Sequence, residues 1–217
     1  MTTVPQATLL PKKHPLVVHR EALLACRRCP EVVPPVVTGR AVETEIFFIG
    51  QAPGVHEGDI GQPFAWTAGK TLFRWFATIG VSEELFRQRV YMTAVIRCFP
   101  GKASNGGGDR VPNRQEIEIC SAWMRDEVQI IRPKLVLAIG RLAIERVAAR
   151  KIAKLDDIVG PLQHTSFFGQ PVDWIALPHP SGLSSWPKTE PGKTLLAQAL
   201  ATFAAHPSFA RTFGDHR

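Results

Sequence analysis

Long apolar runs are missing from this 217-residue chain. No stretch approaches the ~18 to 20 continuous apolar residues that cross a bilayer, which excludes a membrane-spanning helix. The first twenty residues, MTTVPQATLLPKKHPLVVHR, also lack the basic, then apolar, then small order of a secretory signal. Together these absences predict a cytoplasmic protein without a membrane partner.

Acidic residues are in the minority, since 19 Asp and Glu face 26 Lys and Arg for a formal net charge of +7. A basic excess suits a polyanionic partner such as DNA or RNA, because neutralising phosphates releases their counterions. A merely basic enzyme would explain the same balance equally well. The chain is otherwise ordinary, with 45% apolar and 21% charged residues, which excludes a disordered or collagen-like polypeptide.

Cysteine is also scarce, and all four residues fall into two pairs. They are Cys26, Cys29, Cys98 and Cys120. Four thiols in a chain without an export signal do not suggest a disulfide framework. They are a complete ligand set for zinc or for a [4Fe-4S] cluster, and the C-x2-C pair brings two ligands to one side of the metal. Unrelated thiols are the alternative, and the spacing alone does not separate zinc from iron.

Short β-branched or aromatic runs, flanked by Gly or Pro, predict four buried strands. They cover residues 46–49, 90–96, 135–139 and 174–177. Helical spacing appears between them, and Asn113 followed by Glu116 predicts an N-cap for a helix through about residue 131. Alternating strands and helices predict a three-layer α/β/α fold with a mainly parallel sheet of four strands. We expect one domain over 1–217, with flexible ends at about 1–15 and 207–217.

Two loops that follow predicted strands carry unusual chemistry. The first reads GQAPGVHEGDIGQPF over residues 50–64, and the second places His179 between two prolines. Ligands of open parallel sheets bind beyond the carboxyl ends of the strands, which is where both loops lie. The glycine-rich loop matches neither a dinucleotide fingerprint nor a P-loop. Taken singly, each feature has an ordinary explanation as a turn, a solvated acid or a structural histidine.

Taken together, these features resemble the uracil-DNA glycosylase superfamily, in its iron–sulfur branches usually numbered four and five. The first motif there runs roughly G-E-A-P-G-x-x-E-D-x-x-G-x-P-F, and the second is H-P-S, which matches residues 179–181. Those families also hold a [4Fe-4S] cluster through four cysteines in the order found here. The resemblance spans roughly residues 23–200. It implies a uracil-DNA glycosylase-like fold, iron instead of zinc, and a structural role for the cluster.

The resemblance implies that the protein excises uracil from DNA and leaves an abasic site. It matches Phe64 to the aromatic ring that stacks on the flipped-out base. It matches His179 to the group that contacts uracil O2, where negative charge gathers as the bond breaks. We expect the carboxylate that orients water or stabilises the sugar to be Asp59 or Glu57. The remaining expected base- and sugar-binding positions are Gln51, Ala52, Gly54, Ala94 and Ser181.

Several positions depart from the family pattern. Gln51 stands where the fourth family has Glu, and Ala94 stands where it has the Asn that reads uracil. Trp66 replaces a small residue, as a reshaped pocket wall or as a packed core residue. These departures leave two alternatives open. The first is a glycosylase of broader or shifted specificity, such as for hypoxanthine or xanthine, or one that holds its abasic product. The second is a non-catalytic protein that binds lesions or abasic sites.

The loop after His179 corresponds to the segment that enters the DNA minor groove in relatives. Leu183 is the expected apolar wedge that holds the duplex open. The resemblance therefore makes uracil-containing or abasic DNA the expected partner, and we expect the protein to act on it as a monomer.

Overall fold

Helices and strands alternate along the chain in the computed structural model, which describes residues 11, 14–104, 108–182 and 184–214. The elements are α1 (Pro15–Leu24), β1 (Ile46–Gly50), α2 (Val55–Ile60), α3 (Thr67–Ala77), α4 (Glu83–Arg89), β2 (Tyr91–Ala94), α5 (Arg114–Ile131), β3 (Leu135–Ile139), α6 (Arg141–Ala148), β4 (Gln163–Phe167), β5 (Gln170–Leu177), α7 (Gly192–Ala205) and α8 (Pro207–Phe213). Short 3-10 turns occupy Leu155–Asp157 and Trp186–Lys188. The α/β class predicted from the sequence is confirmed.

The central sheet has the strand order β2-β1-β3-β5-β4. Strands β2, β1, β3 and β5 are parallel neighbours, and β4 pairs antiparallel with β5 at the edge. The sheet is mainly parallel as predicted, but it has five strands and not four. The sequence QHTSF of β4 contains no apolar run, and its exposed residues alternate with less exposed ones. A two-residue turn with positive φ at Phe168 and Gly169 connects it to β5, as is typical of a tight hairpin.

Every residue of β1, β2 and β3 is buried. Successive side chains of a strand point to opposite faces of the sheet, so full burial means that both faces are covered. The continuous apolar sequences of β1 (IFFIG) and β3 (LVLAI) therefore reflect a sheet packed between helices. These strands fix the sheet edge on which the candidate site lies.

Helix α5 begins where the sequence predicted. The Asn113 side chain accepts a hydrogen bond from the Glu116 N–H at 2.9 Å, and the Glu116 carboxylate accepts one from the Asn113 N–H at 2.8 Å. This reciprocal pair satisfies two donors that the first helical turn leaves free. The helix ends at Arg132, which has a left-handed conformation with φ of 50°, directly before Pro133.

A buried ion pair ties β2 and its following turn to α5. The Arg97 guanidinium lies 2.5 Å from the Glu127 carboxylate, and both side chains are almost fully buried. Arg97 also donates to the Ala94 carbonyl, and the Tyr91 hydroxyl donates to Glu127 at 2.9 Å. Burial alone would raise the pKa of Glu127, but the charge of Arg97 and its hydrogen-bonded neighbours hold that pKa below its ordinary value.

The chain beyond about residue 207 was expected to be flexible, but it forms α8. His206 caps this helix by accepting a hydrogen bond from the Ser208 N–H at 3.1 Å, and Pro207 occupies its first turn. The rings of Phe209 and Phe213 are buried against each other, with centroids 5.0 Å apart. The expected flexible end is therefore corrected as far as residue 213. No helix within the described ranges has the length and apolar character to cross a membrane.

Candidate active site

One cleft lies beyond the carboxyl ends of β1 and β5. Both strands flank β3 in parallel, so their following loops meet at the same edge of the sheet. The cleft has a volume of about 430 Å³. Its walls come from the loop after β1, from the segment after β5 and from the loop before α5. The residues that line it are Gln51, Ala52, Pro53, Gly54, Val55, His56, Glu57, Phe64, Trp66, Thr67, Ala68, Pro100, Lys102, Gly108, Asp109, Arg110, His179 and Ser181.

The ring of Phe64 forms one apolar wall of this cleft. It is 8% exposed and packs edge-on against Phe48, with centroids 5.2 Å apart and planes at 90°. Its backbone has a φ of 54°, a left-handed conformation that side-chain-bearing residues rarely adopt. Such strain persists only where the surroundings impose it, and it concentrates at functional sites.

Several contacts hold Phe64 in this conformation. Arg87 donates to the carbonyl of Pro63 at 2.7 Å and to that of Phe64 at 2.9 Å. On the other side, the start of α3 approaches the Phe64 carbonyl so closely that a Cβ atom on Gly69 would lie 1.7 Å from its oxygen. Only glycine fits there. Pro63, Phe64 and Gly69 together therefore hold the backbone from which the Phe64 ring projects into the cleft.

His179 reaches the same cleft from the segment after β5. Burial lowers the pKa of its imidazole, so the ring is neutral at neutral pH. The backbone N–H of Ser181 donates to Nδ1 of His179 at 3.2 Å. Since Nδ1 accepts this bond, the ring proton resides on Nε2. His179 therefore presents one N–H donor, fixed by the H-P-S sequence itself.

Glu57 is a buried carboxyl group at the start of α2. One oxygen accepts a hydrogen bond from the Gly54 N–H at 3.3 Å. Burial raises its pKa to about 7, although the backbone N–H groups of Gly54, Phe64 and Ala65 favour the ionised form. The carboxyl group thus connects the two ends of the 54–65 segment. Its oxygens are engaged by the backbone that shapes the cleft.

The other sequence-predicted positions divide into two groups. Gln51, Ala52, Gly54 and Ser181 line the cleft together with Phe64, Glu57 and His179. Asp59 does not line it, because two residues along α2 rotate the side chain by about half a turn relative to Glu57, and Asp59 lies in a separate groove beside Pro35 and Phe99. Ala94, at the buried end of β2, is also not among the lining residues. Leu183 lies outside the described residues, so its role as a wedge stays a prediction.

Sequence reasoning offered Trp66 as a pocket wall or as a core residue, but it did not select two other side chains of the cleft wall, His56 and Asp109. The rings of His56 and Trp66 contact each other with centroids 4.4 Å apart and planes tilted by 39°, and Trp66 is 48% exposed. Trp66 is thus a surface aromatic and not a packed core residue. Asp109 enters from the loop before α5. The only sequence signal for it is an acid directly after a run of three glycines.

The four cysteine thiols influence one another. Burial, followed by the charges of the nearby Cys120, Cys26 and Cys98, raises the pKa of Cys29 to about 12. Burial, followed by the charges of Cys120 and Cys26, raises the pKa of Cys98 to about 11. The structure therefore brings together residues from the N-terminal segment, the end of β2 and α5. Within the described ranges, no three His, Cys, Asp or Glu side chains converge as ligands of a single metal ion.

The chain is similar in sequence to proteins of one known family. The family model described as "Uracil DNA glycosylase superfamily" matches residues 37–204. The chain is 30% identical over 170 residues to the type-4 uracil-DNA glycosylase of Archaeoglobus fulgidus, which covers 74% of this chain and 79% of that protein.

Two proteins of Pyrobaculum aerophilum are also similar. Its type-4 uracil-DNA glycosylase is 27% identical, over 75% of this chain and 81% of the relative. Its type-5 uracil-DNA glycosylase is 25% identical, over 70% of this chain and 80% of the relative. The chain is thus similar to both of the branches that its motifs resemble.

Proposed function

Because the chain belongs to the uracil DNA glycosylase superfamily, we propose that it hydrolyses the N-glycosidic bond of uracil in DNA and leaves an abasic site. The observation that carries this proposal is the convergence of Phe64 and His179 on one cleft. A glycosylase needs an apolar surface for the face of a flipped-out base and a polar group for its edge. Phe64 and His179 supply these two.

The chemistry of the two residues suits bond cleavage. As the bond to the sugar breaks, negative charge gathers on uracil, and a donor at O2 stabilises it. The Nε2–H of neutral His179 is such a donor, and its direction is fixed by the Ser181 N–H on Nδ1. A cationic imidazole is not required, since a preorganised neutral donor pays no reorganisation penalty. The fixed ring of Phe64 would hold the base against this donor.

The specificity of the site is a separate part of the proposal. Position 94, at the end of β2, carries a methyl group in place of an amide, so β2 supplies no bidentate contact to uracil. Gln51 lines the cleft, and its side-chain amide is available to read a base edge. This arrangement favours a lesion range broader than uracil as the second candidate, with hypoxanthine and xanthine as the bases to test.

Strand cleavage by alkali tests the proposal. Matched oligonucleotides that carry one uracil, hypoxanthine or xanthine are incubated with the protein, and abasic sites are then cleaved by alkali. Excision of uracil above the other two bases supports the proposed activity. Comparable excision of all three bases supports the broader range. Salt-dependent binding to uracil or abasic DNA without any cleavage would identify a lesion-binding protein and contradict the proposed glycosylase activity.

We further propose that Cys26, Cys29, Cys98 and Cys120 hold a structural [4Fe-4S] cluster. The donor set fits, because four thiolates are the usual ligands of such a cluster. Burial first, and the charge of the neighbouring cysteines second, raise the pKa values of Cys29 and Cys98, and a cationic group between the four sulfurs would stabilise them as thiolates.

The cluster would supply rigidity and no step of the reaction. It would connect the segment before β1 to the end of β2 and to α5. A brown protein that absorbs near 400 nm, with iron and sulfide in equal amounts, supports this proposal. A colourless, zinc-containing preparation would overturn it.

A further inference from the structure

The cleft contains a carboxylate that the motif-based comparison does not include. Asp109 lines the cleft with Phe64 and His179 but belongs to the loop before α5. Its Oδ1 atom accepts from the Lys102 ammonium at 2.7 Å. Its Oδ2 atom lies over the loop after β1, 3.6 Å from where a Cβ atom on Gly54 would be. One oxygen is thus anchored, and the other faces the backbone that shapes the cleft.

The loop that carries Asp109 is held by its own scaffold. Lys102 and Asp109 pair as an antiparallel bridge, the Ala103 N–H donates to the Gly108 carbonyl at 2.9 Å, and the Arg110 N–H donates to the Gly101 carbonyl at 2.9 Å.

The adjacent Arg110 fixes this hairpin to α5. Its guanidinium lies 2.5 Å from the Glu116 carboxylate, and Glu116 is itself part of the cap of that helix. A side chain on such a support is preorganised, as a catalytic group requires.

The other two candidate carboxylates are engaged elsewhere. Asp59 lies in a separate groove. Glu57 is 8% exposed and interacts with the backbone N–H groups of the segment that positions Phe64. Asp109 is 37% exposed, so solvent water reaches it. With the base stacked on the buried Phe64 ring, as proposed above, the sugar would lie toward the solvent side of the cleft, where the exposed carboxylate of Asp109 is located.

We propose that Asp109 is the carboxylate that orients and deprotonates the attacking water, an inference that rests on the proposed glycosylase function. The water oxygen bonds to C1′ of the deoxyribose as the C1′–N1 bond breaks, and that electron pair leaves with the base. The proton of the water passes to Asp109 and then to solvent, while the departing uracil anion takes up a proton from solvent. The Asp109 charge also stabilises the oxocarbenium character of the sugar.

Single-turnover excision from an oligonucleotide with one uracil tests this assignment. Asp109→Asn keeps the shape of the side chain but removes the base, so we expect the rate to fall by about 10²- to 10⁴-fold. The affinity for the same oligonucleotide should change by less than about tenfold, because the base-binding groups remain. Asp126→Asn is the matched control, since Asp126 is an exposed acid on α5 outside the cleft.

A further variant separates a catalytic role of Asp109 from a role in holding the loop. Lys102→Met removes the ion pair but leaves the carboxylate, so its rate should fall by less than about tenfold. Equal losses in Lys102→Met and Asp109→Asn would show that the pair only holds the loop, and would overturn the assignment.

Near-wild-type activity in Asp109→Asn, together with a large loss in Glu57→Gln, would show that Glu57 and not Asp109 orients and deprotonates the water. Wild-type protein that leaves uracil intact would overturn the proposed function itself, which distinguishes that failure from an error in this assignment alone.

Discussion

The ring of Phe64 lies so close to Gly50 that a Cβ atom at position 50 would come within 2.8 Å of the ring Cε2. Gly50 is the last residue of β1, so the end of this strand and the expected base-stacking ring share one contact. Contacts below 3.0 Å require one partner to move. The backbone of the strand is fixed by its neighbours on both sides, and the ring is therefore the part that would shift.

We predict that Gly50→Ala impairs excision because it displaces the Phe64 ring from the face of the base. Base–aromatic stacking contributes about 1–3 kcal/mol, so a rate loss of about 5- to 150-fold is expected when the contact is lost. The control is Gly214→Ala, because a Cβ atom there meets nothing within 4 Å. Single-turnover rates measure both effects, and a fully active Gly50→Ala protein would argue against stacking on Phe64.

His179→Ala should slow excision by about 10²- to 10³-fold, the usual cost of removing one preorganised donor to a developing negative charge. His164→Ala is the matched control, because that histidine lies on β4 beside Asp173, outside the cleft. The single-turnover rate of His179→Ala should therefore lie about 10²- to 10³-fold below that of His164→Ala. Similar rates in both variants would show that His179 does not take part in the reaction.

Much of the fold could be predicted from the sequence because local signals and tertiary packing agreed. Asn113 and Glu116 marked the start of α5, and the apolar runs of β1 and β3 marked strands buried on both faces. Strand β4 gave no such signal, since it is a polar edge strand defined by its pairing with β5. The residues of α8 were missed because the chain end was assumed to fray, whereas two of its aromatic rings complete the core.

The candidate site was predictable where one motif carried a residue and its support together. Phe64 and His179 belong to such motifs, and both line the cleft. The choice between Glu57 and Asp59 could not be made from spacing, because they lie on opposite faces of α2 and only the packing of this helix shows which face borders the cleft. Asp109 reaches the cleft through long-range pairing of its loop, which no local pattern reports.

Glu57 provides a test through the pH dependence of stability. Its folded-state pKa is raised to about 7 from an ordinary 4.5, so its contribution to stability is complete below pH 4.5 and is lost as pH rises toward 7. A shift of this size corresponds to ~3 kcal/mol. Glu57→Gln has no titrating group at this position, so its stability relative to wild type should rise over that interval. Urea unfolding at pH 4.5 and 7.5 measures the difference, and parallel pH profiles for the two proteins would contradict the burial argument.

The ion pair of Arg97 and Glu127 should dominate the stability of the region around β2 and α5. Glu127→Gln leaves the Arg97 charge buried and unpaired, which costs about 3–5 kcal/mol. Glu118→Gln is the control on the same helix, because its ion pair with Arg114 is largely exposed and screened by water, so its loss should change stability little. Urea unfolding of the two variants should separate them clearly. Equal urea midpoints for the two variants would show that the buried ion pair does not stabilise the region around β2 and α5.

The most direct test of the account is the structure of the protein with free uracil in the cleft. We predict that the uracil ring lies flat against Phe64, with its O2 atom about 2.7–3.2 Å from Nε2 of His179. Uracil that contacts only one of these side chains, or that binds in another part of the protein, would contradict the claim that the two residues hold one base.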